Sequence, residues 1–202
     1  TNEEWDVQAK TIVNATGPFT DSIRTMADQN TRKICQPSIG VHIVLPGYYS
    51  PSNMGLLDPA TSDGRVIFFL PWEKWTIAGT TDRTTEVTHH PSPTEADIQF
   101  ILDEIRHYLS PDVNVRRGDV MSAWAGIRPL VLDPSKPNTE SIARNHIIDV
   151  CKDTGLVTVA GGKWTTYRVM AEEAVDAVIK TNPEALAHSG PCQTLGLTLE
   201  GG

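Results

Sequence analysis

Eight consecutive residues, Gly161 to Arg168 (GGKWTTYR), set two adjacent glycines beside the side-chain donors Lys163, Thr165, Thr166 and Arg168. A backbone without Cβ atoms turns tightly and lets a ligand come close, and the free N–H groups opening a following helix favour an anion. That is the chemistry of a phosphate or cofactor site. A P-loop would need a glycine five positions before Gly162 and Ser or Thr directly after the lysine, but Val157 and Trp164 stand there. A plain strand-to-helix turn that uses glycine for geometry is the competing reading, and the cluster of donors weighs towards the ligand.

Three other positions carry possible chemistry. Arg128 precedes Pro129, and a residue before proline is biased to extended backbone, so its guanidinium projects from a strand end as a planar fork. An arginine that merely pairs a surface carboxylate is an equal alternative. Thr16-Gly17-Pro18 follows the apolar Ile12-Val13, with Gly17 suited to positive φ and Pro18 to the first turn of a helix. His42 lies in a strand-like run, where a lone histidine is more often structural than catalytic. The six histidines form no H-E-x-x-H or H-x-x-x-H spacing and the three cysteines no C-x-x-C, so no metal is expected and the thiols are read as free.

The elements that must position these residues follow from periodicity. Thr11–Asn14 reads as a short buried strand, followed by a helix with a weak apolar face of Ile23, Met26 and Ala27. Residues 34–45 alternate, with Val41, Ile43 and Leu45 on one face and His42 and Val44 on the other. Residues 47–63 read as a loop without period. Residues 65–71 and 75–80 form a hairpin, after which Thr80 to Arg83 offers polar side chains to a ligand or a turn. Ser92-Pro93-Thr94-Glu95 predicts a helix start with Ser92 as N-cap and Glu95 as its capping-box partner. That helix runs to about Leu109, with Ile98, Ile101, Leu102, Ile105 and Leu109 inward and Glu104 and His107 off the stripe. Residues 113–131 are extended, and Asp149 to Ala160 is a hairpin with D-T-G turn chemistry. Thr165 or Thr166 caps a last helix with Met170, Ala174 and Val178 inward, and Asn182-Pro183 ends it. The fold class is α+β, with an antiparallel sheet and a flanking helix.

With 202 residues, 39% of them hydrophobic, the chain can bury one good core or two small ones. The net charge of −8 and the lack of any basic run exclude nucleic acid as a partner. No apolar stretch reaches membrane-spanning length and no leader pattern opens the sequence, so neither a membrane helix nor a signal peptide is expected within it.

Taken in order, Asn14-Ala15-Thr16-Gly17-Pro18, Gly126-Ile127-Arg128-Pro129-Leu130 and Gly161 to Arg168 resemble the FAD-dependent glycerol-3-phosphate dehydrogenases, and residues 40–50 and 63–72 resemble the mitochondrial branch. The resemblance implies oxidation of sn-glycerol 3-phosphate to dihydroxyacetone phosphate, with hydride passing to FAD and electrons to ubiquinone. It implies that Arg128 and Arg144 grip the substrate phosphate, with Lys163 serving phosphate or flavin and His42 assisting proton removal. Thr16, Gly17, Gly161, Gly162, Lys163, Trp164, Thr165 and Thr166 would line the cofactor. No G-x-G-x-x-G and no D-x-D-x-D-G loop occurs, so relative to that family the chain reads as a piece lacking the pyrophosphate-binding segment and the calcium-binding C-terminal region. The implied organisation is a partial FAD-binding, Rossmann-like segment at 1–30, a substrate-binding domain at 31–153, a second FAD-domain segment at 154–182 and a linker at 183–202. A mitochondrial inner-membrane setting, membrane association through parts outside this chain and a homo-oligomer belong to the same expectation. The rival expectation is a flavin-free phosphate-binding or regulatory module.

Overall fold

The computed structural model describes residues 3–132 and 145–201. In chain order the elements are β1 (Val13–Asn14), α1 (Thr20–Ala27), β2 (Cys35–Pro46), β3 (Leu56–Asp58), β4 (Ile67–Trp72), β5 (Trp75–Gly79), β6 (Arg83–Thr84), α2 (Glu95–Tyr108), β7 (Ser122–Val131), β8 (Ile147–Val150), β9 (Val157–Ala160) and α3 (Tyr167–Thr181). Backbone contacts divide the chain into two units, Thr1–Gln36 with Pro129–Gly202, and Pro37–Arg128. The fold is α+β.

The second unit is built on antiparallel pairing in the order β3-β4-β5-β2-β6, with β7 also pairing β2. Alternation sets its inner face. Val41, Ile43 and Leu45 of β2, Ile67 and Phe69 of β4 and Ala78 of β5 are buried together with Ile98, Ile101, Leu102 and Ile105 of α2. Each of these Val, Ile, Leu and Phe side chains contributes about 1.5–3 kcal/mol, as an upper value, when taken out of water. The expected hairpin is present, and because Trp72 pairs with Trp75 its turn is only Glu73-Lys74, with Glu73 at φ 55°.

Several local expectations need correction. Residues 47–63 are not wholly irregular, since β3 extends the sheet there through Leu56↔Phe69 and Asp58↔Ile67. Three residues are too few to leave a periodic signal. The cap of α2 is Thr94, whose side chain accepts from the Asp97 N–H while Asp97 Oδ2 accepts from the Thr94 N–H at 3.1 Å. Burial pushes the Asp97 carboxyl up, but the Thr94 bonds and Arg83 outweigh it and hold its pKa below the ordinary value. Glu104, off the apolar stripe, is nevertheless buried, where it accepts from the backbone N–H and hydroxyl of Ser62.

The first unit carries a three-stranded sheet in the order β1-β9-β8, with β1 parallel and β8 antiparallel to β9. The D-T-G hairpin is as expected, with Gly155 at φ 71° between the paired strands. Among the described residues β1 pairs on one side only, with β9, and Ile12 and Val13 are exposed while Asn14 is buried. The inward residues of α1 are Thr20 and Arg24, not its apolar ones, and Met26 is exposed. Arg24 turns inward because it pairs with Asp149 of β8 and reaches the Thr31 hydroxyl at 3.2 Å.

The two possible caps of α2 separate experimentally. Thr94→Ala is expected to destabilise the protein by about 1 kcal/mol, whereas Ser92→Ala stays within about 0.5 kcal/mol of the parent. Denaturant unfolding of both variants checks this, and the reverse order would return the cap to Ser92.

Candidate functional site

Both glycine turns of the first unit leave the same edge of its sheet. Asn14 of β1 pairs with Thr158 of β9 in parallel register, so Gly17 and Gly161 each stand three residues beyond a paired position (17 − 14 and 161 − 158). In open α/β sheets, ligands bind outside the carboxyl ends of parallel strands. The register therefore brings Thr16 and Gly17 to the same edge as Gly161 to Thr166.

Each turn is held by its own bonds. The buried Asn14 accepts from the Thr16 hydroxyl at 2.7 Å and donates to the Thr20 carbonyl at 3.0 Å, while the Thr20 hydroxyl donates to the Gly17 carbonyl at 2.7 Å. Gly17 sits at φ 61°, and a Cβ there would meet nothing within 4 Å. The bare backbone thus faces open space. Gly161 and Gly162 sit at φ 76° and 78°; a Cβ on the first would come 2.6 Å from Val131 Cγ2, and on the second 2.7 Å from Met170 Sδ. Both conformation and packing exclude a side chain at these two positions.

Beyond the glycines, Lys163 and Thr166 line a cavity of about 490 Å³ with Gly162, Asn145, His146 and Val169. His146 Nε2 lies 2.7 Å from Glu173 Oε2, which ties the start of β8 to α3 beside this cavity. Thr166 occupies the N-cap of α3, but its hydroxyl donates to the Lys163 carbonyl at 2.9 Å instead of capping a helix N–H. Trp164 is 90% exposed and its ring centre is 6.4 Å from that of Tyr167, so the turn presents an uncovered aromatic surface beside its polar donors.

The second unit gathers the other chemistry. Arg128, on β7, donates from Nη2 to the Thr80 hydroxyl at 2.8 Å and from Nη1 to the Thr81 carbonyl at 3.2 Å. Among the described residues it lies 3.6 Å, from Nη1, from the carboxylate oxygen Asp82 Oδ1, and Asp82 itself accepts from the Ser38 hydroxyl. The carboxylate partner weighed from sequence is therefore present, but as a long contact between part-exposed groups, which contributes little. The polar run from Thr80 to Asp82 serves the arginine. His42, on β2, stacks on Trp124 with ring centres 5.4 Å apart and planes 12° apart. Burial, and then the positive charge of Arg128, push the His42 pKa below its ordinary value. At neutral pH the ring is uncharged and able to accept a proton.

Arg144, which the resemblance assigns to the substrate phosphate, lies outside the described residues. Sequence reasoning missed Asn14, Trp124 and the His146–Glu173 pair. Asn14 left a signal, an Asn just ahead of a turn with Thr two residues on, which is a local bonding pattern. The other two depend on approaches between distant segments and left none.

Comparison with known proteins bears on both groups of residues. The family described as FAD dependent oxidoreductase matches residues 1–172. The mitochondrial glycerol-3-phosphate dehydrogenase of Mus musculus is 66% identical over all 202 residues, and the probable mitochondrial glycerol-3-phosphate dehydrogenase of Caenorhabditis elegans is 67% identical. The alignment covers 100% of this chain but only 27% and 28% of those relatives, so the chain spans about a quarter of their length. The crystal structure of glycerol-3-phosphate dehydrogenase from Bacillus halodurans complexed with FAD superposes with a TM-score of 0.76 at 35% identity, over 93% of this chain and 34% of that one.

The lowered His42 pKa fixes a sign for stability. The unfolded chain binds a proton at His42 more readily than the folded one, so stability falls as pH drops through the unfolded value near 6.5 towards the folded value. In His42→Gln that contribution is absent, and the loss of stability between pH 7.5 and pH 5.5 is expected to be smaller than in the parent. Denaturant midpoints at the two pH values check it; an identical loss in both proteins would show His42 titrating as an ordinary histidine.

Proposed function

We infer, starting from the fact that this chain belongs to the FAD dependent oxidoreductase family, that it forms part of an enzyme oxidising sn-glycerol 3-phosphate to dihydroxyacetone phosphate. The observation that carries the reading is the occurrence, in one unit, of an anchored guanidinium and an imidazole stacked on Trp124, whose pKa is lowered by burial and then by that guanidinium. One substrate bearing a phosphate and a secondary hydroxyl has a use for both. The identities of 66% and 67% to mitochondrial glycerol-3-phosphate dehydrogenases support it.

In this reading Arg128 binds the substrate phosphate with its planar fork, a geometry that favours paired N–H···O bonds to an oxyanion. Arg144 shares that role, and Lys163 serves phosphate or flavin. His42 accepts the proton of the C2 hydroxyl, held in orientation by Trp124. Thr16, Gly17, Gly161, Gly162, Lys163, Trp164, Thr165 and Thr166 hold the cofactor. Their form fits a flavin dinucleotide, since Gly17 faces open space, the Gly161-Gly162 backbone is bare, and the N-terminus of α3 favours an electron-rich edge. When bound, FAD supplies the two-electron acceptor for the hydride leaving C2. Segments 1–30 and 154–182 then serve the cofactor, 31–153 the substrate, and 183–202 joins a further region. Ubiquinone as final acceptor, the mitochondrion and its inner membrane as location, and a homo-oligomeric state complete the proposal.

Arg128→Lys in the full-length protein keeps the charge and loses the fork. It is expected to lower kcat/KM for glycerol 3-phosphate by roughly 10–100-fold, the weight of one charge-assisted hydrogen bond, while the flavin absorbance per protein stays unchanged. Parallel loss of flavin and activity would make Arg128 structural. Absence of glycerol 3-phosphate oxidation in the FAD-loaded parent would overturn the proposal.

A further inference from the structure

Of the three strand glycines of the second unit, Gly40, Gly79 and Gly126, the first two leave space that chemistry-bearing groups occupy. A Cβ built on Gly40 of β2 would overlap the Arg128 guanidinium, whose Nη1, Nη2 and Cζ are the three nearest atoms to it. A Cβ on Gly79 of β5 would come 2.5 Å from His42 Cδ2 and 2.9 Å from its Cγ. Real Cβ atoms essentially never approach this closely. Neither glycine has the positive φ that would by itself account for the residue type.

The two positions are linked by register. Gly79 pairs directly with His42, and Gly40 lies two residues back along the same strand, hence on the same face as His42. We propose that Gly40 and Gly79 are positioning residues, one seating the Arg128 guanidinium against the backbone of β2 and the other seating the His42 ring against β5.

Each seat is completed by fixed partners. The guanidinium is tied to the Thr80 hydroxyl and the Thr81 carbonyl, and Thr81 is itself pinned because its hydroxyl accepts from the Val41 N–H at 3.0 Å. The imidazole is closed in by Trp124 stacked at 5.4 Å. A fork and a base set in this way lose little freedom when substrate binds, which is how a site reaches a productive geometry before the reaction begins. A methyl group at either glycine would lift one group off its seat and leave its charge and donors intact.

The proposal rests on the substrate roles given above for Arg128 and His42, so its test has one arm that needs no catalysis. Thermal unfolding of the full-length parent, Gly40→Ala, Arg128→Ala and the double variant forms a cycle. Gly40→Ala is expected to lower the unfolding midpoint by on the order of 2–4 °C, and to have no further effect once Arg128 is alanine, because the clash partner is gone. An equal loss with and without the Arg128 side chain, or a failure to fold that Arg128→Ala does not repair, overturns the seat. In the kinetic arm, Gly40→Ala is expected to raise KM for glycerol 3-phosphate roughly 10-fold or more with a smaller effect on kcat. Gly79→Ala is expected to lower kcat with KM little changed. Equal changes of both parameters in both variants would make the glycines merely structural. A coupled unfolding cycle in a protein whose parent does not oxidise glycerol 3-phosphate would leave the seat standing and remove the function assigned to it.

Discussion

Two residue pairs of parallel sheet, Val13 with Val157 and Asn14 with Thr158, decide where both glycine turns of the first unit emerge. The partners are 144 positions apart (157 − 13), so closing that span costs on the order of 4 kcal/mol of chain entropy beyond a fixed term. Two pairs of ladder bonds do not offset this. The remainder comes from what packs around them: Ile34, Val131 and Ala160 bury one another with Ile147 against them, and Val157 is fully enclosed. If β9 slipped by one residue its faces would exchange and Gly161 would lose its matched height beside Gly17. The placement of the proposed cofactor residues thus depends on a very short ladder held by its surroundings.

A polar cluster takes a share of that work. Arg24 is buried against Asp149, and Asp21 accepts from the Ile34 and Cys35 N–H groups at 3.0 and 2.9 Å while lying 3.8 Å from Arg24 Nε. Burying these charges is costly in itself, and only full pairing recovers the loss. What the cluster contributes is geometry. It joins α1, β8 and the entry into β2, and a helix with exposed Met26 has little apolar surface with which to hold that position. Removing Asp149 would leave the buried Arg24 guanidinium without its short carboxylate contact, whereas Asp149 is part-exposed and would keep water.

The legibility of this chain in its sequence divided along physical lines. Elements with five or more alternating residues, β2, β4 and β5, and the strongly striped α2, were readable because a long pattern leaves few alternatives. β3 was not, being three residues long. The cap of α2 was displaced by two residues because Ser92 and Thr94 both satisfy the local rule, while the reciprocal bonds are made between Thr94 and Asp97, with Arg83 3.4 Å from that carboxylate. The α1 face was misread because an arginine and a threonine hold the buried positions. For the site, residue types at Gly161 to Thr166 and Arg128 were visible, since turn chemistry and the X-Pro bias are local properties. What lay beyond one dimension was contact: the stacking of Trp124 on His42 and the nearness of Arg128 to His42 join segments more than eighty positions apart.

The wide separation of β1 and β9 also bears on how the protein is made. A ribosome adding about 5–20 residues per second needs roughly 7–30 s to pass from residue 13 to residue 157. During that time Val13 and Asn14 have been made and the β9 residues they pair with, Val157 and Thr158, have not. The second unit is complete in sequence at Arg128, before β9 is made; its β3-β4 and β4-β5 pairs join neighbours, while β2 pairs with the later β5, β6 and β7. Order of synthesis therefore leaves the β1–β9 ladder of the proposed cofactor-holding sheet to close only after the second unit has been made.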